Sequence, residues 1–236
     1  MPPPAPVDPK RFTQARASLS RFASSGGTSR RSFGKAVADY VSRSSGGSGG
    51  AARRMGSSRA TAGKLLGFLA DAQARGLTAA LEAVSLGSLI GKPMESIFFG
   101  LADVLCPSDG SVDSSIARDA FTETIIEMVD AGIASFDALT EGQVRLILES
   151  FVSNTILDRL YADIGAGVVR LAQSAKEVAF IQVQIRDYIR GAVRDACDSR
   201  NADFRGLSQA DAKRVSTEVY GQAFAILSQY GDGGSA

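Results

Sequence analysis

Carboxylate pairs are the first residues in this 236-residue chain whose type and spacing suit chemistry. Glu123 with Glu127, and Asp158 with Asp163, repeat at helical spacing, and two carboxylates in one cleft can divide acid and base roles between them. Nothing in the sequence puts either pair in a cleft, and a solvated acidic face gives the same pattern. The chain has no histidine. Neither a Ser-His-Asp nor a Cys-His arrangement can therefore be built, and the common zinc sites lack their ligands. Cys106 and Cys197 belong to apolar helical stretches and read as small core residues.

Two segments imitate a phosphate loop, which needs four residues between its glycines and a hydroxyl residue after the lysine. From Gly56 to Leu66, GSSRATAGKLL places six residues between the glycines and follows Lys64 with Leu65. From Gly87, GSLIGKP places three and follows Lys92 with Pro93. PSDGSVD around Asp109 imitates a calcium loop, but aligning Gly110 with that loop's glycine puts Leu105 and Ile116 at the end-ligand positions. It reads as a turn. No cofactor and no metal are expected.

The formal net charge of +1 conceals a segregation. Residues 1–75 hold 13 Lys and Arg against 3 acids, whereas residues 76–169 hold 4 against 14. Such a split steers a segment toward nucleic acid or an acidic partner, or folds it back on the chain's own acidic half. The densest basic run is Arg53, Arg54, Arg59 and Lys64, with few aromatic residues nearby on which bases would stack. Nucleic-acid contact, a protein interface and a solvated face all remain open readings of it.

The elements that must position these residues are helices. Ser174 to Arg200 is the clearest, with Ser174 and Glu177 as a capping box and Val178, Ile181, Ile185, Tyr188, Ile189, Ala192 and Ala196 on one face. Phe180 and Val183 widen its apolar surface, so this is the helix around which the rest is expected to pack. MPPPAP predicts an extended tail over residues 1–8. Residues 9–44 predict a basic helical arm, with Asp8 and Pro9 opening its first helix and Gly26–Gly27 closing it. SGGSGG predicts a hinge at 45–50. An all-α core follows over 51–230, in which Gly63 and Gly67 permit close helix packing, Asp113 opens one helix and Thr140 with Gln143 opens another. Residues 231–236 predict a disordered tail. Cap spacing varies from helix to helix, which argues against a solenoid, and the nearest strand-like pattern, Val168 to Leu171, is too short to count. The fold class is all-α. No apolar run approaches the roughly 20 residues that cross a bilayer, and the start lacks the pattern of a signal peptide, so the expected location is cytoplasmic.

Four blocks, taken in order, carry a resemblance: RFTQARASLSRFASSGG, AARRMGSSRA, FFGLADVLCPSDGSVDSSIARDAFTETI and IRDYIRGAVRDA. They resemble the QatB family of the Qat anti-phage defence system, over nearly the whole chain. The resemblance implies genomic neighbours encoding an ATPase, a 7-cyano-7-deazaguanine-synthase-like enzyme (QatC) and a TatD-like nuclease, and it supplies no catalytic residue to carry over. It also implies a Gly-Thr-Ser-containing N-terminal segment and a Pro-rich linker ahead of the RF block, so the chain is expected to start in that linker. The expected role is a non-enzymatic adaptor or protein substrate that docks on QatC and presents its N-terminal extension. Arg30, Arg31, Arg53, Arg54 and Arg59 form the expected contact set. The alternative is a nucleic-acid-binding module that guides the nuclease through the basic arm.

Overall fold

The computed structural model describes residues 10–133, 136, 139–166, 174–199, 204 and 206–230. Ten α-helices run through them: α1 Thr13–Ser24, α2 Arg30–Asp39, α3 Ser48–Arg54, α4 Gly56–Arg75, α5 Leu77–Ala83, α6 Met94–Leu105, α7 Val112–Asp130, α8 Glu141–Ile164, α9 Ala175–Asp198 and α10 Gln209–Gln229. Among the described residues there is no strand. A π-helical turn, Tyr40–Ser44, extends α2. The expected tails at 1–8 and 231–236, the Asp8–Pro9 helix start and the Val168–Leu171 pattern lie outside the described residues.

The sequence caps hold where small hydroxyl side chains supply them. Thr140 and Gln143 form a complete capping box on α8, and Ser174 and Ser208 accept from the backbone amides of Glu177 and Asp211. Asp113 differs. Ser111 caps α7, while the Asp113 carboxylate reaches back to α4, accepting from the Ser57 amide at 2.5 Å and the Ser58 hydroxyl at 2.9 Å. It thereby satisfies a first-turn donor that α4's own cap, Met55, has no side chain to meet.

Along its middle, α8 is enclosed on all sides. Seven successive residues, Phe151 to Leu157, are buried, nearly two full turns around the axis. α9 was expected to hold that place through its breadth of apolar surface, but it buries one face only. Ile181, Ile185, Ile189, Ala192 and Ala196 point inward, whereas Phe180 is 48% and Val183 51% exposed. Breadth of hydrophobic content on α9 therefore does not mean burial. α10 packs along α4 and also meets α9, α3 and α2. A Cβ on Gly63 would stand 3.0 Å from the Lys213 Cα, so the glycine permits the close approach of α4 to α10. An aromatic chain, Phe68–Phe136–Phe98–Phe121–Phe151, ties α4, α6, α7 and α8 together at centroid distances of 4.8–6.3 Å.

α1 and α2 form a hairpin that shares this core. Leu19, Phe22, Phe33 and Val37 belong to the same buried cluster as Val219 and Ile185. Between this hairpin and α3, the glycine run at 45–50 makes a tight turn. Gly46 and Gly47 adopt φ of +74° and +86°, the Gly47 amide donates to the Val41 carbonyl at 2.9 Å, and Ser48 to Gly50 already belong to α3.

Candidate functional site

Asp163, one residue from the end of α8, gathers side chains from three other elements. Its Oδ2 accepts from the Tyr40 hydroxyl at 2.8 Å, from Arg54 Nη2 at 2.7 Å and from Arg159 Nε at 3.2 Å. Its backbone carbonyl accepts from Arg16 Nε at 3.1 Å and Nη2 at 2.8 Å. Beside it, Phe12 stacks on Tyr40 at 5.6 Å and 15°, and the guanidinium carbons of Arg11, Arg54 and Arg16 stand 5.0, 5.3 and 5.6 Å from the Phe12 centroid. Burial and the Asp163 charge raise the Tyr40 hydroxyl above the ordinary phenol value, so it remains a donor across neutral pH. Burial, and then the charge of Arg54, lower the pKa of Arg11. Four guanidiniums thus surround a single carboxylate.

A second site lies where α7, α8 and α9 meet. Asp119, Glu123, Glu127 and Asp130 fall on one flank of α7, and Arg186, Arg190 and Arg194 repeat every four residues along the facing flank of α9. Glu127 joins the walls, paired with Arg190 and accepting from the Ser150 hydroxyl of α8. Around this junction is a recess of about 410 Å³ lined by Met128, Leu146, Ser153 and Arg194 among others. Farther along the same groove Asp158 is half-buried, with one carboxyl oxygen lacking a hydrogen bond among the described residues. Burial, with Glu123 and Asp119 adding to it and Arg186 opposing, pushes its pKa up to about 7.

The sign of the resulting pH dependence follows from the direction of that shift. Folded Asp158 keeps its proton between about pH 4, the ordinary carboxyl value, and about pH 7, while the unfolded chain has lost it, so stability falls as pH rises through this window. Asp158→Asn is expected to stabilise the fold at pH 8 by about 1–2 kcal/mol once discounted for a carboxyl only partly withdrawn from water, read as a higher thermal midpoint, and to change little at pH 4. Melting curves of both proteins across that range check this; equal midpoints at pH 8 would mean that the groove solvates the charge.

The family model for the Qat anti-phage system associated protein QatB matches residues 46–227. The chain belongs to the QatB family. It is a component of the Qat anti-phage defence system. No curated protein and no solved structure matches it.

On this QatB-family fold the residues singled out in the sequence are dispersed. Arg54 is part of the Asp163 cluster, with its side chain 19% exposed. Arg31 and Arg53 are exposed, and Arg30 is exposed beside a shallow recess with Tyr188 and Tyr230. Arg59 is half-buried, its Nε without a hydrogen-bond partner among the described residues and its charge acting on buried Tyr220. Lys64 donates to the Leu105 carbonyl at 3.4 Å. The carboxylate pairs divide. Asp158 and Glu123 meet in the groove with Asp119, while Asp163 faces the arginine cluster. Asp109 accepts from the Ser111 amide at 2.9 Å, a local turn. Both cysteines are buried, and burial raises the Cys106 thiol to about 11, far from a thiolate nucleophile at neutral pH.

The groove was missed in the sequence, although its walls were legible. Acids at 119, 123 and 127 and arginines at 186, 190 and 194 share a four-residue period, so each forms a stripe on its own helix. What the sequence does not contain is the juxtaposition of the stripes, which comes from α7 and α9 both packing on α8.

Proposed function

We infer that this QatB-family protein acts as a non-enzymatic adaptor or protein substrate, docking on the QatC-like enzyme and presenting to it the segment that precedes the folded body. The observation that carries this reading is the anchoring of the chain where it enters the fold. Arg11 Nε donates to the Ser44 carbonyl at 2.6 Å, the Ser44 hydroxyl returns a bond to the Arg11 carbonyl at 2.7 Å, and Phe12 stacks on Tyr40. Whatever lies ahead of residue 10 therefore leaves the body from a fixed point. A proline-rich tether reaches roughly 3 Å per residue and raises the local concentration of its end near a docked enzyme, so docking surface and acted-upon terminus need not coincide.

The docking surface is assigned to Arg30, Arg31, Arg53 and Arg59. Arg54 supports it from the Asp163 cluster. Arginine suits such a surface through its planar fork and weak hydration. The system's ATPase and TatD-like nuclease are the remaining partners of this reading, and the location is cytoplasmic. Among the described residues no helix is long and apolar enough to cross a membrane.

The test is co-purification with the QatC-like enzyme, using the parent and an Arg30→Ala, Arg31→Ala, Arg53→Ala triple variant that leaves the Asp163 cluster intact. Loss of at least tenfold in affinity is expected; a triple variant that holds the enzyme as well as the parent removes these arginines from the contact. DNA or RNA binding that weakens steeply with salt and follows the same arginines would favour the nucleic-acid module instead.

A further inference from the structure

The arginine cluster carries more positive charge than its structural role explains. Asp163 is the one carboxylate acting on Arg11 among the described residues, and it faces Arg11, Arg16, Arg54 and Arg159. Its Oδ2 already accepts three hydrogen bonds, so it offers little further capacity at that atom. Among the described residues the four guanidiniums donate five hydrogen bonds, to Ser44, to the Asp163 carbonyl twice and to Asp163 Oδ2 twice. Most of their N–H groups therefore have no partner among the described residues, and Arg54 Nε is buried without one. Burial first, and then repulsion from Arg54, lower the pKa of Arg11, with the Asp163 charge opposing them.

We propose that Arg11, Arg16, Arg54 and Arg159 form a binding site for a compact phosphate-type dianion, the phosphate or diphosphate moiety of a small molecule. Guanidinium forks match phosphate oxygens in pairs, and here they are held in place before any ligand arrives. Phe12 seats three of them within 5.6 Å of one centroid, Asp163 fixes two by their side chains, and its carbonyl fixes Arg16. Pre-organisation of this kind lowers the ordering cost of binding.

The shape favours a small ligand over a nucleic-acid strand. A strand needs a row of cations along its backbone and open aromatic faces for its bases. In this cluster three of the four cations gather round one ring and Tyr40 stacks on a face of it, so they form no row. The site is also separate from the proposed docking arginines except at Arg54, so it can bind whether or not the partner enzyme docks there.

The experiment is calorimetric titration of the intact chain with inorganic phosphate, pyrophosphate and ADP, each at ionic strength matched with sodium chloride. Saturable binding of pyrophosphate or ADP is expected, at least tenfold tighter than any effect of chloride. Arg11→Gln and Arg16→Gln are each expected to weaken it at least fivefold, with Lys92→Gln, an exposed lysine outside the cluster, leaving it unchanged. Circular dichroism melting confirms that each variant is folded, and because Arg16 is exposed whereas Arg11 is half-buried, two separate variants keep the test available. Binding no tighter than chloride, or binding untouched by both arginine substitutions, overturns the site. A single-stranded oligonucleotide that binds tighter than pyrophosphate through the same arginines overturns the compact-dianion assignment.

Discussion

Asp163→Asn is expected to remove about 3 kcal/mol of folding free energy at pH 7, read as a fall in the urea midpoint at unchanged slope. The substitution keeps the shape of the side chain and deletes its charge. Arg54 and Arg159, with side chains 19% and 14% exposed, then lose the carboxylate that offsets their desolvation, and they face Arg11 and Arg16 without a counterion. Tyr40, whose hydroxyl donates to the same oxygen, keeps a neutral acceptor at best. Because the cluster ties α1, the π turn, α3 and α8 together, the loss should appear as global destabilisation and not as local fraying. A double-mutant cycle with Tyr40→Phe reads the coupling directly. A loss under about 1 kcal/mol would place Asp163 among ordinary surface ion pairs.

Gly50→Ala is expected to cost a comparable amount, about 3 kcal/mol, for a steric reason. A Cβ at this position would lie 1.8 Å from the Ser45 carbonyl oxygen, a backbone atom that cannot move without opening the turn into α3. Gly46, four residues earlier, has nothing within 4 Å, and alanine there meets only the cost of its φ of +74°, about 1 kcal/mol. The pair separates two descriptions of the 45–50 run. A packed turn gives a large effect at 50 and a small one at 46, whereas a freely moving hinge tolerates alanine equally at both. Urea denaturation of the two variants checks it.

The helices were legible because their signals are local. Ser174, Thr140 and Ser208 announce starts by side chains that bond amides three residues on, and periodic apolar residues mark which face turns inward. Placement among neighbours was less legible. Phe180 and Val183 lie at positions as apolar as any on α9, yet are about half exposed, since nothing in a helix's own sequence states how many sides will be covered. Asp113 shows the same limit for a polar residue. Its position suits a cap for α7, and a hydroxyl two residues earlier takes that role, freeing the carboxylate to cap a helix more than fifty residues away. Of the candidate site, Arg54 was visible as part of a basic run, but Asp163 meets it and Arg16 by contacts over 100 residues of chain. The charge segregation did carry a partial message, since the Arg54–Asp163 pair joins the basic segment to the acidic one.

The packing of α10 on α2 has a consequence for biosynthesis. The Gly34 backbone lies so close to the Tyr230 carbonyl that a Cβ would stand 2.3 Å from it, so the first hairpin is completed by the last residues described. At about 5–20 residues per second, the ribosome needs roughly 10–40 s to make the chain between them. Throughout that interval the apolar face of α2, including Phe33 and Val37, lacks its covering helix. The nascent hairpin is therefore a segment that a chaperone would meet uncovered, and a chain released early would leave it so.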